Sequence, residues 1–136
     1  MKTLNSIVVG YDGSPESEHA VRWAARLARE IDATLTVLHA AGILERLGSP
    51  FSHFAAPDAV ERILTEEDVD PTRRRWVVDE GDACSALLHS VTAPINAELL
   101  VMGSRGHGKR PGMLIGSVSL EVVQHSSVPV VVIPAL

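Results

Sequence analysis

The sequence predicts an α/β fold: one doubly wound, Rossmann-like domain with a parallel sheet buried between two layers of helix. Three observations carry that expectation. Short β-branched or leucine-rich runs alternate with segments of helical periodicity along the whole chain. Those runs are mostly apolar end to end, as in strands covered on both faces. Helix-starting residues then follow the strands, notably Ser14-Pro15, Asp82 and Gly116-Ser117.

Taken in order, Ser6 to Gly10 (SIVVG) is the first strand. Ser14 serves as an N-cap, Pro15 fits the first helical position, and Glu16 and Glu18 favour the positive end of a helix. Ala20, Val21, Ala24, Leu27, Ala28 and Ile31 recur at helical spacing. Thr34 to His39 is the second strand, and 40–56 reads as loop with a short helical turn around Ile43 to Leu47. Pro57 starts a short helix whose Ala59, Val60, Ile63 and Leu64 share a face, and Asp68 to Thr72 is a turn. Arg74 to Asp79 is the third strand. Asp82 caps a third helix, with Cys84, Leu87, Leu88 and Val91 inward, which Pro94 breaks or kinks. Glu98 to Met102 is the fourth strand. The fourth helix begins at Gly116-Ser117 with Val118, Val122 and Val123 on one side, and Val130 to Ile133 is the fifth strand. Five strands and four helices result, joined by right-handed crossovers.

Composition narrows the function classes. The 136 residues, 46% hydrophobic and 21% charged, suit one globular domain spanning 1–136. A net charge of −5 argues against general nucleic-acid binding, and Arg73-Arg74-Arg75 beside Trp76 reads as a solvated strand entrance. A single cysteine excludes an intramolecular disulfide and points to a reducing compartment. Cys84 lies near a helix start, which can lower a thiol pKa, but reads first as a small buried residue. No run has transmembrane length, and Ile7-Val8-Val9 is too short for a signal peptide, so the cytoplasm is expected. The six histidines (19, 39, 53, 89, 107, 125) show no metal-ligand spacing. Glu66-Glu67-Asp68 reads as a solvated helix end.

Chemistry concentrates in Val101 to Ser119 (VMGSRGHGKRPGMLIGSVS), where a strand runs through a glycine-rich loop into a helix. Such a helix start is an anion site, because unpaired N–H groups and the positive end of the dipole face the same point. Glycines 103, 106, 108, 112 and 116 let backbone approach a ligand, while Arg105, His107, Lys109 and Arg110 bring positive charge. A polyphosphate fits best. Gly103-x4-Gly108-Lys109 lacks the P-loop hydroxyl, since position 110 is Arg, and Pro111 stands where a dinucleotide fingerprint needs its third glycine. Asp12, just past the first strand, suits ribose hydroxyls or an adenine edge. It equally suits a turn residue bonded to its own backbone.

Gly103-x2-Gly106-x9-Gly116-Ser117 resembles the ATP-binding branch of the universal stress protein family. The preceding Val101-Met102-Gly103-Ser104-Arg105-Gly106 run and the later Val128-Pro129-Val130-Val131-Val132 extend the match. The resemblance implies strand order 3-2-1-4-5, with a ligand crevice between strands 1 and 4. It implies ATP, with or without magnesium, leaving ADP, AMP and a cyclic form open. By it, Asp12, flanked by Gly10, Tyr11, Gly13 and Ser14, holds the nucleoside, and Ala40 lies beside the base. Met102, Gly103, Ser104, Arg105 and Gly106 approach ribose and phosphates, and Gly116, Ser117, Val118 and Ser119 bind the phosphates. It further implies a homodimer paired through the edge strand Val130 to Ile133. Two other functions compete: slow ATP hydrolysis or self-phosphorylation at Ser117, Ser119 or a neighbour, and a dimeric interaction module that binds AMP, a cyclic nucleotide or no nucleotide.

Overall fold

Strand β1 (Ser6–Gly10) runs through the middle of a five-stranded parallel sheet in a computed structural model that describes residues 4–41, 51–104 and 115–134. β2 (Thr34–Ala40) and β4 (Leu99–Gly103) flank it, with β3 (Arg74–Asp79) beyond β2 and β5 (Val130–Ile133) beyond β4. The order β3-β2-β1-β4-β5 is the one that the family resemblance implies. Among the described residues, helices α1 (Pro15–Ile31), α2 (Asp58–Glu66), α3 (Ala83–His89) and α4 (Ser117–His125) and a 3₁₀ turn (Pro71–Arg73) complete the chain.

Strand alternation divides the core into two layers. Ile7, Val9, Leu35, Val37, Leu99 and Val101 face α1 and α2, whereas Val8, Leu38, Leu100 and Met102 face α3 and α4 through Leu87 and Val122. Each fully buried valine, leucine or isoleucine contributes about 1.5–3 kcal/mol. α1 presents Ala20, Val21, Ala24, Ala25 and Ala28 to the sheet, so a long helix lies close against it with little side-chain ordering cost. Its start is as expected: the Ser17 N–H donates to Ser14 Oγ at 3.1 Å, Pro15 is first, and Glu16 and Glu18 lie in the first turn. It ends at Asp32, whose φ of 59° is left-handed and whose N–H reaches the Ala28 and Arg29 carbonyls.

Several expectations are corrected. β2 extends to Ala40, and β4 runs Leu99–Gly103 rather than Glu98 to Met102. α3 ends at His89, so Val91 lies beyond it and Pro94 neither breaks nor kinks it; Thr92 N–H caps back onto His89 O instead. On α4 only Val122 and Ser119 are buried. Val118 and Val123, expected beside Val122, are 38% and 46% exposed, because the helix covers the sheet margin with a narrow stripe. The turn expected around Ile43 to Leu47 lies outside the described residues.

Arg74 is no solvated cation: its Nη2 donates to Val69 O at 2.7 Å, and its side chain is 15% exposed. Glu67 is likewise no solvated helix end, being 7% exposed. Arg22 Nη1 lies 2.6 Å from its Oε2 and Arg26 Nε 2.9 Å from its Oε1, while Arg29 donates to its carbonyl at 3.0 Å. Three turns of α1 thus grip the end of α2. Hydrogen bonds from Arg26 and then Arg22 hold the Glu67 carboxyl below its ordinary value. A carboxylate with a depressed folded pKa stabilises the fold above its unfolded pKa, and that contribution disappears as pH falls through the folded one. Glu67→Gln should therefore cost about 1 kcal/mol at pH 7 and less below about pH 4. Urea unfolding at pH 7 and pH 3 checks this, and an equal deficit at both would contradict it.

Candidate functional site

Chain order reverses between β1 and β4, and in open parallel sheets that is where a crevice opens beyond the strand ends. Val8 pairs with Leu100 and Val9 with Val101. The ladder stops at that pair, leaving Gly10 and Tyr11 at the end of β1 and Met102 and Gly103 at the end of β4. Thus Gly10, Tyr11, Asp12, Gly13 and Ser14 form one wall, and Met102, Gly103 and Ser104 begin the other. Ala40, last in β2 and half-buried, stands one strand away from β4 across β1.

The first wall is a bonded turn. Asp12 Oδ1 accepts the Ser14 N–H at 2.9 Å, and the Asp12 N–H reaches Ser17 Oγ at 3.3 Å. Gly13 has φ 85°, a left-handed backbone that favours glycine. Ser14 is 2% exposed and its hydroxyl caps α1. Asp12 therefore performs the turn role that the sequence offered as one alternative, while remaining half-buried at the strand end. The Tyr11 ring turns into the core, where burial first, then the charges of Glu18 and Asp12, push its hydroxyl pKa up.

The second wall is the join between β4 and α4. The Ser104 N–H donates to Ile133 O at 2.8 Å, and its carbonyl accepts the Gly116 N–H. Ser119 Oγ donates to Gly103 O at 2.8 Å. These bonds pin the start of α4 over the end of β4. The cap is Gly116, which offers no side chain, and no acid occupies the first turn. By contrast α1 has a serine cap and two acids, α2 has Asp58 and Glu61, and α3 has the Asp82 carboxylate on the Ser85 N–H at 2.9 Å. Among the described α-helices, α4 alone brings neither to its positive end. The first-turn N–H groups of Ser117, Val118 and Ser119 lie beyond the reach of the intrahelical ladder, and a helix start of this kind is chemically suited to an anion. Arg105 and Gly106, with His107, Lys109 and Arg110, lie outside the described residues.

Cys84 sits between α3 and α4, where burial, a hydrogen bond with Glu121 and the charges of Glu121 and Asp82 push its thiol pKa up. The direction is opposite to the lowering that its place near a helix start allowed. Among the described residues, no three His, Cys, Asp or Glu side chains gather as a metal site, and no helix is long and apolar enough to cross a membrane. The sequence reading missed two residues here. Ser17 donates to Ser14 O at 2.9 Å, a pairing that the Ser-x-x-Ser spacing at a helix start could have signalled. His39, 3% exposed, places Nδ1 2.9 Å from Tyr11 O; its only signal was a polar ring at the end of the buried face of β2.

A five-stranded parallel sheet whose order reverses between β1 and β4 defines a doubly wound α/β protein. The family model for the universal stress protein family matches residues 3–134, and the chain belongs to that family. A universal stress protein of Mycobacterium tuberculosis is 33% identical over 155 residues, covering 98% of this chain and 49% of that protein. One from Mycolicibacterium smegmatis is 32% identical over 142 residues, covering 96% and 48%. The chain thus spans about half the length of the curated relatives it matches. Among solved structures, a universal stress protein in complex with cAMP is similar at TM-score 0.73 and 27% identity, covering 97% of this chain and 98% of that one. UspA from Lactobacillus plantarum shares the fold at TM-score 0.71 and 19% identity, covering 98% and 99%.

Proposed function

We propose that this chain is a regulatory stress-response protein that binds an adenine nucleotide between the ends of β1 and β4. ATP, with or without magnesium, is the favoured ligand, and ADP, AMP and cAMP are the competitors. The observation that carries the reading is the start of α4, a helix N-terminus pinned in place and lacking both carboxylate and side-chain cap. Phosphate oxygens take the amides of Gly116, Ser117, Val118 and Ser119, with Gly103, Ser104, Arg105 and Gly106 alongside. Asp12 and its neighbours Gly10, Tyr11, Gly13 and Ser14 meet the ribose and base, with Met102 and Ala40 completing the surround. The cAMP bound by a relative of 27% identity supports an adenine nucleotide as the ligand class.

The same proposal includes a homodimer joined along the outer side of β5, the last strand in the sheet order. Support comes from the exposed Val118, Leu120 and Val123 of α4, which packs beside it. A second copy would cover both.

Ser117→Asp separates the phosphate reading from a merely structural one. A carboxylate in the first turn of α4 should stabilise the helix by about 0.3–1 kcal/mol. It should also occupy the phosphate position and weaken ATP binding at least about tenfold, since charge-assisted bonds are lost and repulsion is gained. Calorimetry and thermal unfolding measure the two effects. Undiminished ATP binding by the variant would defeat the reading. For the dimer, light scattering should report about twice the chain mass of 14.6 kDa; a monomer at micromolar concentration removes that part.

A further inference from the structure

The β1–α1 turn hangs from a buried histidine on the neighbouring strand. β2 offers Leu35, Val37 and His39 to the α1 side of the sheet, the first two fully buried and apolar, the third a polar ring only 3% exposed. Burying an imidazole there costs desolvation that a hydrogen bond must offset. Its Nδ1 lies 2.9 Å from Tyr11 O. A carbonyl only accepts, so Nδ1 carries the proton and donates.

Tyr11 is fixed at three points. Its N–H donates to Leu38 O at 2.8 Å, its carbonyl accepts from His39, and its ring sits among Phe51 and Trp76 with centroids at 5.6 and 6.1 Å. Phe51 also meets the His39 ring edge-on at 4.6 Å, and Trp76 Nε1 donates to Ser52 O at 2.7 Å, which holds the 51–52 segment against the cluster. The next residue is Asp12, tied on its far side to Ser14. The carboxylate's place in the crevice is therefore set from one end by the α1 cap and from the other by His39.

We infer that His39 is a positioning residue for the nucleotide site, acting through the Tyr11 carbonyl on the placement of Asp12. The inference rests on the nucleotide reading above. It requires a donor at the Nδ1 position, a demand that filling the core alone does not make. Asparagine puts its amide nitrogen where Nδ1 stands, and glutamine puts its own where Nε2 stands.

The test measures ATP affinity by calorimetry for the full chain, His39→Asn and His39→Gln, with thermal unfolding confirming that each is folded at the titration temperature. His39→Asn should bind within about twofold of the parent. His39→Gln should bind about tenfold more weakly, the loss expected for one misplaced hydrogen bond. Amide resonances of Asp12 and Gly13 should match the parent in His39→Asn and shift in His39→Gln. If both variants bind as the parent does, or affinity simply follows melting temperature, the positioning role is overturned while the nucleotide reading stands. If the parent binds no ATP, ADP, AMP or cAMP, the nucleotide reading itself falls and this role falls with it.

Discussion

A helix dipole without an internal counter-charge is the constraint on which the site depends. Carboxylates or a serine hydroxyl answer the positive ends of α1, α2 and α3, whereas α4 has neither a side-chain cap nor an acid in its first turn. Such an end is stable beside an anion and tolerable beside water, and it is worth little unless its position is fixed. Ser119 Oγ on Gly103 O and the Gly116 N–H on Ser104 O fix it over the end of β4. The first-turn amides are thus held in a fixed arrangement, of the kind that lowers the ordering cost of taking up an anion.

The rest of the architecture holds the opposite wall to a matching tolerance. Alanines on α1 bring that helix close to the sheet, and the Arg22–Glu67–Arg26 contacts lock α2 against it. α1 begins at the Ser14 cap immediately after Asp12, so fixing the helix fixes one side of the turn. The aromatic cluster of Tyr11, His39, Phe51 and Trp76 fixes the other. Packing far from the crevice is in this way transmitted to a single carboxylate. That carboxylate bonds the turn itself, its Oδ1 accepting the Ser14 N–H.

Local signals in the sequence were legible where one segment decides its own structure. Continuous apolar runs marked the strands, and Ser14-Pro15 and Asp82 marked two helix starts to the residue. Signals failed where a distant partner decides. Glu67 looked like a solvated acid because its arginines lie 41 and 45 positions away. His39 looked like an unremarked strand end because the carbonyl that accepts its hydrogen bond belongs to Tyr11, 28 positions earlier. Val118 and Val123 looked inward because helical spacing cannot tell how wide a stripe the sheet margin will cover. In the site, Asp12 admitted a turn role and a ligand role, and only coordinates revealed the Ser14 bond that establishes the first.

Titrating ¹⁵N-labelled chain with ATP and following each backbone amide tests the central claim most directly. The amides of Ser117, Val118 and Ser119 should move together and saturate, while those of Glu16 to Glu18, at a helix start already furnished with acids, stay where they are. Saturable shifts confined to other parts of the molecule, or none at millimolar nucleotide, would contradict the account.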